Sequence, residues 1–151
     1  MLKLKITLAF KRVTKDSGII PKLISKWTKS KYYHVELIID NIWVSVYDDG
    51  VKLNKLRPLS TNWDYLALDT VTLTDEQYSK FMLYLHNQEG KSYDFLGIFL
   101  SQVFPLKIDS DSKWFCSEIV TKLLQMLYIE DTLELNPVTM SPSDLFKLFN
   151  R

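Results

Sequence analysis

The sequence predicts an α+β domain: an antiparallel sheet or small open barrel packed against helices. Three observations carry this. Segments that alternate apolar with polar residues crowd into the first half of the chain, between Leu2 and Leu73. Segments with apolar residues at helical spacing dominate the rest, from Thr74 to Phe149. Two β-rich runs, HVELII and IWVSVY, are separated only by Asp40-Asn41, and both of those residues tolerate the positive φ of a tight hairpin turn.

The chain of 151 residues falls within the usual size of one domain, and a body of about this length buries roughly 68 to 70% of its unfolded surface. Residues 1–151 are therefore read as a single domain. At 46% hydrophobic and 25% charged, with four Gly and five Pro, the composition is that of an ordinary globular protein. Lys and Arg number 19 against 18 Asp and Glu, which lacks the positive excess a phosphate backbone demands, so nucleic acid is not expected as a partner. The single cysteine rules out an intrachain disulfide, and one Cys with two distant His gives no zinc spacing, so neither a metal nor a cofactor is expected. MLKLKITLAFKRV never offers the continuous apolar stretch of a signal peptide, and no later run reaches membrane-spanning length. A soluble, cytoplasmic protein with no integral membrane segment is the expectation.

In Leu2 to Lys11 the apolar residues Leu2, Leu4, Ile6, Leu8 and Phe10 fall on one face and Lys3, Lys5, Thr7 and Lys11 on the other, which predicts one half-buried strand. Ile20, Leu23, Ile24 and Trp27 then recur at helical spacing behind Pro21, a residue favoured in a first turn because it has no amide hydrogen to leave unpaired. After the hairpin from His34 to Tyr47, Asp48-Asp49-Gly50 turns the chain toward a strand over Val51 to Leu56. Tyr65 to Leu73 alternates again. Thr74 with Gln77 forms a capping box, Tyr78, Phe81, Met82 and Leu85 form the buried stripe behind it, and Gly90 is placed as a left-handed stop. A further helix is predicted over Tyr93 to Val103, halting before Pro105, and a polar loop follows at Ser110 to Lys113. Cys116 opens a helix whose Ile119, Val120, Leu123, Leu124 and Leu127 share one face. Ser141-Pro142-Ser143-Asp144 caps the last helix, Leu145 to Phe149.

A thiol is a poor nucleophile until it ionises, and a helix N-terminus with a nearby imidazolium lowers its pKa from about 8.5 to roughly 3.5 to 7.5. Cys116 meets the first condition. Two readings of it stay open, because free Cys is also among the most buried of residues; the polar neighbours Ser117 and Glu118 favour the reactive one. His34 shares a strand face with Glu36, Ile38 and Asp40, while Val35, Leu37 and Ile39 point the other way. Such a His-Glu pair is often no more than a solvated strand surface. His86 lies beside a helix stripe and reads as a surface residue, so a base for Cys116 has to be His34.

The order His34-Val35 on a strand, Tyr93-Asp94-Phe95 with Gly97, Phe115-Cys116-Ser117-Glu118 on a helix, and Ser141-Pro142-Ser143-Asp144-Leu145 resembles the circularly permuted papain-like amidases. That group is related to the NlpC-type cell-wall peptidases, includes the YiiX-like and poxvirus proteins, and is cousin to lecithin:retinol acyltransferase. The likeness runs from about His34 to the C-terminus. It implies a permuted papain-like fold in which the histidine strand precedes the cysteine helix, with Cys116 as nucleophile and His34 as base. Relatives without export signals include viral proteins. The chain departs from the pattern twice: Glu36 stands where many relatives have Gly, and Ser45 where many carry an acid before a Gly-Val turn, here Gly50-Val51. If Asp40-Asn41 is a two-residue turn, Glu36 lies directly opposite Ser45. Glu36 is then the leading orienter of His34 and Ser45 the second, with loss of any third group as the remaining alternative.

The chemistry implied is attack of the Cys116 thiolate on an acyl carbon through a thioester, with His34 moving the proton and the Cys116 amide holding the oxyanion. Tyr93 and Trp114 are candidates for a second oxyanion donor. An amidase or peptidase acting on a peptide, isopeptide or cell-wall stem peptide is favoured. An acyltransferase, thioesterase or lipid hydrolase using the same pair on an ester is the alternative, and a catalytically degenerate binding module is the third.

Overall fold

The alternation from Leu2 onward builds two strands where one was expected. The computed structural model describes residues 1–47, 50–55, 58, 60–90 and 115–151, and in it β1 (Leu2–Leu4) and β2 (Ile6–Arg12) are separated at Lys5. The Lys5 amide donates to Asp40 Oδ1 at 2.8 Å and its carbonyl accepts from the Asp40 amide at 2.9 Å, so the break is pinned to the hairpin turn. Either side of it the partner changes. The Tyr65 to Leu73 run divides in the same way, into β6 (Trp63–Ala67), which pairs with β2, and β7 (Val71–Leu73), which pairs with β1.

Between these lie α1 (Ile19–Thr28), with Pro21 in its first turn and Ile24 buried, then the hairpin of β3 (Tyr32–Ile39) and β4 (Ile42–Tyr47), then β5 (Gly50–Lys55). Asp40 takes the left-handed conformation at φ 51° in the hairpin turn. Every neighbouring pair is antiparallel. β5, β4, β3, β2 and β6 form a five-stranded sheet in that order, beside a two-stranded ribbon of β1 and β7.

One sheet face presents Ile6, Leu8, Phe10, Val35, Leu37, Val44 and Val46, all buried in the main core. Three helices supply its other wall: α2 (Asp75–Gln88) through Phe81 and Leu85, α3 (Phe115–Met126) through Ile119, Val120 and Leu123, and α4 (Pro142–Phe149) through Leu145. Burying each of these large apolar side chains contributes roughly 1.5 to 3 kcal/mol. The opposite face was expected to be polar along β2, but Ala9 is fully buried there with Ile38 and Trp43, and Trp63 and Tyr65 pack against them. β2 is central, and cross-strand neighbours from β3 and β6 cover both of its sides.

Local signals fix the helix ends. Thr74 and Gln77 exchange the two bonds of a capping box, as do Ser141 and Asp144, with Pro142 in the first turn of α4. Gly90 follows α2 at φ 74°, a conformation that costs residues with a Cβ. Short 3-10 turns at Glu130–Thr132 and Pro137–Thr139 lead from α3 to α4, and the Gln125 amide holds that connection by donating to the carbonyls of Thr132 and Leu135 at 2.8 and 2.9 Å. No helix among the described residues is long and apolar enough to cross a membrane. The predicted turn at Asp48-Asp49, the strand end at Leu56, the helix over Tyr93 to Val103, the loop at Ser110 to Lys113, and Trp114 lie outside the described residues.

Candidate functional site

The β3–β4 ladder pairs Ile39 with Ile42, Ile38 with Trp43 and Leu37 with Val44, and there it ends, although β3 extends back to Tyr32 and β4 onward to Tyr47. His34, Glu36 and Ser45 occupy the stretch beyond the last paired residues. The N-terminal part of α3 carries Cys116, and that helix packs against both strands.

The predicted hairpin register sets Ser45 opposite Glu36, and the Ser45 hydroxyl donates to Glu36 Oε2 at 3.1 Å. The other carboxylate oxygen, Oε1, lies 3.1 Å from His34 Nε2. Asn54, on β5, donates from Nδ2 to Ser45 Oγ at 3.2 Å and extends the chain of bonds by one strand. Far from forming a solvated strand surface, His34 is 7% exposed and Glu36 and Ser45 are fully buried. A buried carboxylate is costly unless bonded, and these bonds to His34 and Ser45 compensate both of its oxygens.

The Cys116 side chain, itself buried, acts on the same ring through its charge and hydrogen bonding. Burial works against charge on the ring. The charge and hydrogen bond of Cys116, followed by the hydrogen bond and charge of Glu36, outweigh it and raise the His34 pKa from 6.5 to about 9. At neutral pH the ring is therefore an imidazolium, donating from Nε2 to Glu36. The two neighbours of Cys116 are occupied elsewhere: the Ser117 hydroxyl donates to the Met140 carbonyl, and Glu118 pairs with Lys122 at 2.6 Å. Ser117 thus fastens the start of α3 to the segment before α4, which fixes where the sulfur sits.

The Cys116 amide falls among the first four of the helix, which have no intrahelical acceptor, and it can donate to an oxygen developing beside the sulfur. Tyr93, Trp114 and the Tyr93-Asp94-Phe95 motif lie outside the described residues. His86 is exposed on α2, 3.4 Å from Glu89, away from this constellation. Among the described residues no three of His, Cys, Asp and Glu converge as a metal site. Sequence reasoning missed Asn54 and Trp63, whose ring stands edge-on to His34 with centroids 6.0 Å apart. The register opposes Lys52 to Ser45 and Asn54 to Trp43, so Asn54 reaches Ser45 as a diagonal neighbour on the same face. Trp63 had no local signal, because its neighbourhood depends on the pairing of β6 with β2. No family model, curated protein or solved structure matches the chain.

Proposed function

We propose that this chain is a cysteine hydrolase of the circularly permuted papain-like kind, cleaving an amide bond of a peptide-like substrate. The observation that carries the reading is one imidazole that answers both to a thiol near a helix N-terminus and to a buried carboxylate, the second by a direct bond. The Cys116 sulfur attacks the acyl carbon, a C–S bond forms as the C–N bond breaks, and the His34 imidazolium gives its proton to the departing amine. Water then attacks the thioester, His34 takes one of its protons, and the carboxylic acid leaves as the C–S bond breaks and the thiolate is restored beside the imidazolium. Glu36 orients the ring and supports its charge, while Ser45 and Asn54 hold Glu36. That bonding favours Glu36 over Ser45 as the third member. It also argues against a degenerate binding module, because a scaffold without turnover has no need to bury this charge beside a thiol.

Acyl-amide and acyl-ester electrophilic probes, read by intact mass, test the reading. One acyl group on Cys116 is expected, absent in Cys116→Ala and reduced in His34→Ala. Transfer from amides supports amidase function, and transfer from esters alone moves the assignment to an acyltransferase or thioesterase. A Cys116 no more reactive than a free thiol, indifferent to His34→Ala in a folded protein, would leave only the binding module.

A further inference from the structure

We propose that Lys11 and Trp63 form a subsite beside the Cys116–His34 pair for a carboxylate of the substrate. The proposal rests on the hydrolase reading of that pair and specifies the kind of acyl compound it takes.

The register places the three side chains in one row. Lys11 pairs with His34 on one side and with Trp63 on the other, and directly opposed residues of antiparallel strands project from the same face with Cβ atoms about 4.5 to 5.5 Å apart. The contacts agree: the Trp63 ring meets the His34 ring edge-on at 6.0 Å, and Lys11 Nζ lies over the Trp63 ring, 5.5 Å from its centroid. Trp63 is backed by Trp43, with centroids 5.4 Å apart, and forms a fixed wall.

The charge on Lys11 is not compensated from within. Lys11 forms no ion pair among the described residues, and a cation–π contact holds an ammonium without neutralising it. The nearby carboxylates are committed: Glu36 to His34 and Ser45, and Asp64 to Tyr32, Lys31 and Arg12. Lys11 and Trp63 are both half-buried, so the ammonium is held at the wall instead of extending into solvent. The His34 ring therefore sits beside a flat apolar surface that carries a positioned cation. That suits an acyl or leaving group carrying a carboxylate, as an acidic peptide does, and disfavours a cationic one.

Two alkylating reagents that differ only in charge test this. Iodoacetate and iodoacetamide each place a carbon on the Cys116 sulfur and release iodide. At pH 7 and low salt, Lys11→Met is expected to slow iodoacetate about fivefold, the scale of one charge acting through a partly solvated medium, and iodoacetamide by less than about twofold. Lys11→Arg should keep the wild-type ratio, and so should Lys3→Met, which removes an equal charge from the exposed end of β1. If Lys11→Met slows both reagents alike, or Lys3→Met shifts the ratio as far, the subsite is overturned while a fast wild-type thiol leaves the hydrolase reading standing. A wild-type thiol as slow as a free one with both reagents removes that reading and the subsite with it.

Discussion

His34 is the residue on which the site turns, because its ring joins groups from two parts of the fold. Its folded pKa lies above the unfolded value, so its charge stabilises the native state. That contribution is fully present below about pH 6.5 and is lost as pH rises through about 9. Cys116 raises it more than Glu36 does. An NMR titration of the ring should therefore show a larger downward shift in Cys116→Ala than in Glu36→Gln. An unchanged titration in Cys116→Ala would contradict the contact. Reactivity should follow the same bonds. A thiol with no cation beside it is only a few per cent ionised at pH 7, so His34→Ala should slow alkylation by iodoacetamide by about ten- to thirtyfold. Glu36→Gln should slow it less, and Ser45→Ala, one bond further out, least. A larger loss from Ser45→Ala than from Glu36→Gln would exchange their roles.

At the scale of elements, what was legible in the sequence was whatever short-range rules decide. The two-residue spacer fixes the hairpin register, which places Ser45 against Glu36, and the Thr74 and Ser141 caps follow from side chains reaching three residues along the chain. The breaks at Lys5 and after Ala67 were not legible, since alternation continues through both and only the change of partner strand interrupts them. Burial of His34 and Glu36 was hidden for a similar reason: their strand pattern is amphipathic, and what covers the polar side comes from distant chain. Asp40 shows both kinds of information in one residue. Its left-handed backbone is a local preference, whereas its bond to the Lys5 amide crosses 35 positions. Asp40→Gly should keep the first and lose the second, costing about 1 kcal/mol, and Asp40→Ala should lose both and cost about 2 kcal/mol. Equal midpoints for the two variants in urea would show that the backbone preference has no weight there.

Across the whole molecule, the main core joins the two ends of the sequence. Strands from the first half meet α3 and α4 from the last quarter, and the ring contacts are the most direct sign: Phe146 packs on Phe10 with centroids 5.2 Å apart and on Tyr32 at 4.4 Å. Tyr32 begins the strand that carries His34, so the packing that closes the core also supports the site. The second aromatic cluster, Trp43, Trp63 and Tyr65, lies on the other sheet face and is built from strand residues alone. If the chain unfolds as one unit, a probe of each region must report the same transition. Phe146→Ala truncates a half-buried ring and should cost about 2 kcal/mol, less than the loss of a fully buried one. That loss should move the helical signal in far-ultraviolet circular dichroism and tryptophan fluorescence by the same increment of urea, even though the described tryptophans outside α1 lie on the far face of the sheet. Iodoacetamide modification of Cys116 should fall toward the rate of a free thiol at that same lower urea concentration, because unfolding parts the sulfur from the His34 ring. A fluorescence transition that stays in place while the helical signal shifts would mean that the sheet survives without α4, and the molecule would then be two cooperative units joined through β3.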